Sequence, residues 1–100
     1  MITILIKRPH EDAEVLQIAD ASELEELVGG DYEIVHDDRL DGFHLVVNEE
    51  ARGIQANNFP ISSDGFLDWV YGPCVFVKAD GSSLSHEDIA SIQEYLASKV

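Results

Sequence analysis

Positive charge is scarce in this chain: six Lys and Arg stand against twenty Asp and Glu, a formal net charge of −14 over 100 residues. Lys7, Arg8, Arg39, Arg52, Lys78 and Lys99 are scattered along the sequence, whereas a nucleic-acid-binding domain gathers its cations on one face. Direct binding of nucleic acid is excluded on that ground. Cysteine is reduced to Cys74, so no internal disulfide can close. That residue lies in the apolar run Cys74-Val75-Phe76-Val77, where a free thiol packs as a small hydrophobe. Long apolar runs are missing too. The longest, Ile2-Thr3-Ile4-Leu5-Ile6, falls far short of the ~20 residues a membrane-spanning helix needs. The first residues lack the charged segment, long apolar stretch and small-residue cleavage site of a secretory leader. The expectation is a cytoplasmic protein that does not engage a membrane.

Motifs that carry chemistry are also lacking. Ser62 and Ser63 have no Gly-x-Ser-x-Gly around them, and Cys74 has no hydrolase-like setting. Glu49 and Glu50 are neighbours, and adjacent strand positions point to opposite faces, so they do not converge as an acid and a base. Gly29-Gly30 is too short for a phosphate loop and reads as a helix cap. Asp37-Asp38-Arg39-Leu40-Asp41 imitates the start of a calcium loop, but Arg39 stands where a third-position oxygen is needed, and Asn48 where the twelfth-position Glu belongs. His36 and His44 flank the same turn and could supply two zinc ligands. Zinc sites usually take four, and His10 and His86 are distant in sequence. The expectation is a protein that is not an enzyme and needs no metal or cofactor.

What the chain does have is enough apolar material for one core: 45% of its residues are hydrophobic, and they fall in short strand-like and helix-like groups. Ile2 to Ile6 reads as a strand ended by Lys7-Arg8-Pro9, with Ala13 to Ile18 as its hairpin partner. Asp20-Ala21-Ser22-Glu23 is a capping-box-like start for a short helix bearing Leu24, Leu27 and Val28 on one face and stopped by Gly29-Gly30. Tyr32 to His36 and Phe43 to Val47 form a hairpin around Asp37-Asp38-Arg39-Leu40-Asp41-Gly42. Residues 48–65, rich in Asn, Gly, Ser and Pro, read as a long irregular connection, of the kind that small domains keep for a function. Phe66 to Tyr71 and Cys74 to Lys78 supply one strand or two around Gly72-Pro73. Ser85-His86-Glu87-Asp88 caps a last helix with Ile89, Ile92 and Leu96 inward and Val100 a turn beyond. The sum, over residues 1–100, is a single α+β domain: a largely antiparallel sheet with two helices packed on one face.

Several of these segments occur in a suggestive order. Val28-Gly29-Gly30, then Tyr32-Glu33-Ile34-Val35, then Val46-Val47-Asn48-Glu49-Glu50-Ala51, then Tyr71-Gly72 before an apolar strand resemble a small uncharacterised domain family of phages and other mobile elements. In that family a loop asparagine follows the Asn-Glu-Glu strand, and Asn57 or Asn58 would take its place. This chain has Ala51 where a glycine is usual, and it lacks the Leu-Pro pair that often precedes the asparagine. The resemblance implies no assigned activity. It does imply a phage or conjugative element as the source and a bacterial host cell as the compartment, a setting in which small acidic proteins often counter host defences.

The charge suggests how. Fourteen charges correspond to about 24 Å of duplex at one per ~1.7 Å, close to the ~33 Å width of a 100-residue globule. An acidic face could therefore occupy a basic groove made for nucleic acid. The residues expected to build it are Glu23, Glu25 and Glu26 on the first helix, Asp37, Asp38 and Asp41 at the hairpin tip, and Glu49 and Glu50 after the next strand. The partner would be a basic nucleic-acid-binding protein or complex of the host, such as a CRISPR or restriction nuclease, inhibited by a DNA mimic. An exposed Trp69 or Phe59 beside those acids would make an anchor. Two further readings stand beside this one. In one, Asn48, Glu49, Arg52 and Asn57 line a pocket for a small, nucleotide-like ligand; in the other, the chain is a regulatory interaction module without catalysis.

Overall fold

The structure is a computed structural model and describes residues 1–99. Seven strands and two helices follow one another as β1 (Ile2–Lys7), β2 (Glu14–Ile18), a 3-10 turn (Ala21–Glu23) running into α1 (Leu24–Val28), β3 (Tyr32–Val35), β4 (Phe43–Asn48), β5 (Asn57–Ser63), β6 (Phe66–Tyr71), β7 (Cys74–Lys78) and α2 (His86–Ala97). Five strands form one antiparallel sheet in the order β2-β1-β7-β4-β3, and β5 and β6 form a separate hairpin. The α+β class with a mostly antiparallel sheet is thus as the sequence predicts.

The placement of the helices is not. They cover opposite faces of the sheet rather than one. Strand residues alternate sides, and β1 shows both: Ile4 and Ile6 pack with Val46, Val75, Leu24 and Val28 under α1, while Leu5 packs with Leu45, Phe76, Ile92 and Tyr95 under α2. β1, β4 and β7 therefore read as continuous apolar runs, the pattern of strands buried on both sides. The hairpin lies with α2 on the second face, bringing Phe59, Ile61 and Val70 into that core. There the Phe59, Phe76 and Tyr95 rings sit 6.0–6.1 Å apart.

Residues 48–65 are the second correction. Only 49–56 connect irregularly; Asn57 onward is strand β5, joined to β6 by the two-residue turn Asp64-Gly65. Asn, Pro and Ser hide the strand because they are poor strand formers. Pro60 is tolerated by its register. With Ser63 opposite Phe66 at the turn, Pro60 and Trp69 make a pair without mutual hydrogen bonds, so the missing N–H faces away from the partner strand. Phe66–Tyr71 and Cys74–Lys78 are two strands in different sheets. Gly72, between them, has φ +71°, a conformation that other residues adopt only with strain, and a Cβ there would stand 2.3 Å from Gln55 Oε1, so the Gln55 side chain would have to move.

Helix starts match their sequence signals with one change of detail. Ser85 accepts from the Asp88 N–H at 3.1 Å and Asp88 accepts from the Ser85 N–H at 2.8 Å, closing a full capping box on α2. At the first helical segment, Asp20 accepts from the Ser22 N–H at 2.9 Å, while the Glu23 carboxylate reaches back to the Ala19 N–H. Ile92 is buried on the inward face of α2 with Ile89 and Leu96 packed beside it; Val100 lies outside the described residues.

Candidate functional site

Two of the resemblance's landmarks meet at one corner. The α1 helix ends at Gly29, whose φ of +86° is the left-handed cap conformation that glycine adopts without strain. From β4, the Asn48 side chain donates through Nδ2 to the Val28 carbonyl at 3.1 Å and accepts through Oδ1 from the Glu50 N–H at 2.8 Å. A Cβ on Gly30 would come 3.4 Å from the same amide. Val-Gly-Gly and Asn-Glu-Glu are thus two halves of one joint, which carries the orphan carbonyl of a helix end and holds the Glu49-Glu50 turn against it.

That joint gathers acids. Glu25 and Glu26 project from α1, Glu49 and Glu50 follow Asn48, and the Glu49 N–H is fixed to the Asp31 carbonyl at 3.0 Å. All five of these acids are exposed, and Glu23 is half-buried at the start of α1. Asp38 and Asp41 are exposed as well, but they stand at the other end of β4, roughly 17 Å away at the rise of an extended strand.

Asp37 leaves the expected acidic face altogether. It is the only buried charged residue among the described residues, with 2% of its surface exposed. Lys99 Nζ donates to Oδ2 at 2.7 Å, Tyr95 Oη donates to the same oxygen, and Oδ1 accepts from the Arg39 and Ser62 N–H groups at 3.1 and 3.4 Å. Lys99 Nζ also lies 4.8 Å over the Tyr95 ring. Burial opposes ionisation of Asp37, but the donors from Lys99, Tyr95 and the Arg39 backbone outweigh it and hold its carboxyl below the usual range. Burial, followed by the adjoining carboxylate, pushes the Tyr95 hydroxyl up. A run of three Asp within five residues gave no sign of which one turns inward.

Asp38 points outward yet is also engaged. Its two oxygens accept from the Asp64 and Gly65 N–H groups, each at 3.0 Å, and bind Ser62 Oγ at 3.3 Å, so it clamps the β5–β6 turn. Those backbone donors pull its carboxyl below the ordinary value.

Of the residues expected to line a ligand pocket, three come together. Asn48, Glu49 and Arg52 border a cleft between β3 and β6, together with Glu33, Asp68, Trp69 and Tyr71. Asn57 does not border it; it lies opposite Tyr71 in the hairpin register. The cleft is about 70 Å³, far below the ~300 Å³ at which small-ligand pockets begin. Arg52 is already committed: Nη2 meets Asp68 Oδ2 at 2.7 Å, and the guanidinium stands 5.3 Å over the Tyr71 ring. Asn58, not Asn57, is the bonded asparagine. It donates to the Lys7 and Gly72 carbonyls at 2.7 and 2.9 Å and accepts from Lys7 Nζ at 3.2 Å, pinning β5 to β1.

Residues 2–97 match the family model described as Domain of unknown function (DUF3846). The chain belongs to the DUF3846 family. No curated protein and no solved structure matches it. In this DUF3846 domain the joint between Val28 and Asn48 and the Asn58 staple tie elements of the fold together by hydrogen bonds. His36 and His44 do face each other across the hairpin, with ring centroids 5.6 Å apart, but among the described residues no three His, Cys, Asp or Glu converge as metal ligands. Cys74 is fully buried, and burial pushes its thiol up, away from the reactive thiolate. No helix among the described residues is long and apolar enough to cross a membrane. Phe59 is buried and Trp69 is 40% exposed, so of the two expected anchors only Trp69 reaches solvent. Sequence reasoning missed Phe66 and Leu67, exposed at 78% and 77%. Asp64-Gly65 between apolar-bearing runs was the signal that could have found their hairpin.

Proposed function

We propose that this DUF3846 domain is a phage or mobile-element inhibitor without catalytic activity, acting in the host bacterial cytoplasm. Its acidic surface docks on the basic nucleic-acid-binding surface of a host defence nuclease complex, of CRISPR or restriction type, and excludes the nucleic acid. The supporting observation is the acid cluster built on the Asn48 joint: Glu25, Glu26, Asp31, Glu49 and Glu50 on two adjoining backbone turns, none of them in an ion pair among the described residues. Glu25 and Glu26 stand in the first turn of α1, where they favour its dipole, whereas Glu49 and Glu50 follow Asn48 at its C-terminal end, where negative charge opposes the dipole and the last turn holds no basic residue. Like charges gathered at one corner repel one another, a cost to stability that a role in binding would explain. The face is smaller than the sequence suggests, because Asp37 is interior and Asp38 and Asp41 lie at the far end of β4.

A tagged pull-down from bacterial lysate, washed at about 0.1 M and then about 1 M salt, tests the reading, since the screening length falls from ~10 to ~3 Å. A nucleic-acid-binding complex retained at low salt and released at high salt is the expected result. It should be lost when Glu25, Glu26, Glu49 and Glu50 are all changed to Gln. Retention by that variant would refute the acidic-docking reading. The nucleotide-like ligand is not favoured, because the cleft at Arg52 is too small and its cation is already paired.

A further inference from the structure

The β5–β6 hairpin ends in an apolar wedge. Phe66 and Leu67 follow the turn directly, 78% and 77% exposed, and Trp69 beyond them is 40% exposed. Phe66 shares its strand face with Val70, which is in the core, whereas Leu67 and Trp69 point to the outer face of the hairpin. The first two side chains therefore flank the tip on opposite sides. The tip itself is rigid. Asp64 and Gly65 have φ of +51° and +82°, the pair of left-handed residues that a type I′ turn requires, and both N–H groups are held by the Asp38 carboxylate at 3.0 Å.

A preorganised wedge of this kind loses little freedom when it is buried, and large aromatic and aliphatic side chains in desolvated pockets carry most of an interface's affinity. Charge complementarity identifies the surface that would receive it. The carboxylates of Asp38 and Asp64 stand at the same tip, on a chain whose net charge is −14. We infer that Phe66 and Leu67, backed by Trp69, insert into an apolar pocket rimmed by Lys and Arg on the protein partner. This inference rests on the acidic-docking reading and adds to it. Long-range charge steers encounter and raises the on-rate, while the wedge sets the residence time and distinguishes one basic surface from another. The same acids disfavour an anionic bilayer, a nucleic acid or a second copy of this chain as the occupant.

The test is site-specific photo-crosslinking in the full-length chain expressed in bacteria. A photoreactive residue replaces Leu67 in one variant and Val15, on the far edge strand β2, in another. Adducts are then sequenced by mass spectrometry. The expected result is one polypeptide attached at position 67 and absent at position 15, joined through an apolar segment flanked by Lys or Arg. The purified partner should then bind the Phe66→Ser/Leu67→Ser variant at least tenfold more weakly, chiefly through faster dissociation, with the variant's melting curve unchanged. Adducts to a lipid or to a second copy, an equal adduct at position 15, or no adduct at position 67 would overturn the wedge. Failure of the wedge and failure of acidic docking give different results. A partner that is lost with the four-Gln acid variant but indifferent to the Ser pair refutes the wedge alone. One that tolerates the acid variant and loses the Ser pair refutes acidic docking instead.

Discussion

The Asn48 side chain crosses from the end of β4 to the Val28 carbonyl at 3.1 Å, and its own oxygen holds the Glu50 N–H at 2.8 Å. One amide therefore ties a helix end to an acidic turn, so the stability of that corner and the direction of Glu49 and Glu50 are linked. Asn48→Ala should cost about 1–3 kcal/mol, the range for leaving a partly buried partner unsatisfied. Asn48→Asp should cost at least as much, because it replaces the donor to Val28 with a second acceptor and adds charge at the helix C-terminus. Urea titration of both variants checks the magnitude. Stability equal to that of the parent in both would show that the joint is not a structural determinant.

Asp37 and Lys99 form the one deeply buried ion pair among the described residues, with side-chain exposures of 0% and 9%. Removing one partner of such a pair strands the other, which typically costs about 3–5 kcal/mol. Asp37→Asn and Lys99→Met should each fall in that range, and the double variant should recover part of the loss. The pH dependence follows from the direction of the shift. The Asp37 carboxyl is held below its ordinary value, so its contribution is present above the unfolded value of ~3.9 and is lost as pH falls through the lower folded value. Melting temperature measured from pH 6 to pH 2 should drop steeply below about pH 4 in the parent, and more shallowly in Asp37→Asn. Parallel curves would place the acid sensitivity elsewhere.

Much of this fold was legible from alternation and caps. β1, β3, β4, β7 and both helix starts follow from β-branched runs and from Ser or Asp preceding acids. β5 was not legible, because Asn57-Asn58-Phe59-Pro60 carries turn residues, and the strand is stabilised by long-range partners: the 37–38 segment along one edge and Lys7 through Asn58. The faces of the two helices escaped for a similar reason. A strand buried on both sides and one buried on one side differ only in whether every second residue is polar, and Ile4, Leu5 and Ile6 carry no polar residue to mark a solvent face. The candidate site divides the same way. Net charge announced an acidic protein, but local pattern could not show that Asp37 turns inward while Asp38 clamps a turn 26 residues away.

β6 has an open edge that is guarded by its own side chain. The register turns the Trp69 N–H away from β5, and Asp68 Oδ1 accepts it at 2.8 Å while Oδ2 is held by Arg52 at 2.7 Å. An occupied donor and a charge at the edge are standard protections against strand addition. Asp68→Ala should expose the donor beside Leu67 and Trp69 and produce concentration-dependent self-association in analytical ultracentrifugation. Arg52→Ala should do so less, since Asp68 keeps its bond to Trp69. A monomer at every concentration in Asp68→Ala would mean that the carboxylate does not guard the edge.

The acid cluster should be a liability in isolation. Glu49 and Glu50 follow Asn48 at the C-terminal end of α1, where negative charge opposes the helix dipole, and the same short helix carries Glu25 and Glu26, so Coulomb repulsion there disfavours the compact state. Changing these four residues to Gln keeps their size and removes the repulsion. The isolated variant should melt several degrees higher than the parent at about 10 mM salt, where charges interact over ~30 Å, and the gap should shrink at about 1 M salt, where the range is ~3 Å. Differential scanning calorimetry at the two salt concentrations reads both values. A higher melting temperature with loss of the partner would mean that the chain trades stability for binding at this corner. A variant less stable than the parent would instead make these carboxylates part of the scaffold, and the acidic-docking proposal would lose its main structural support.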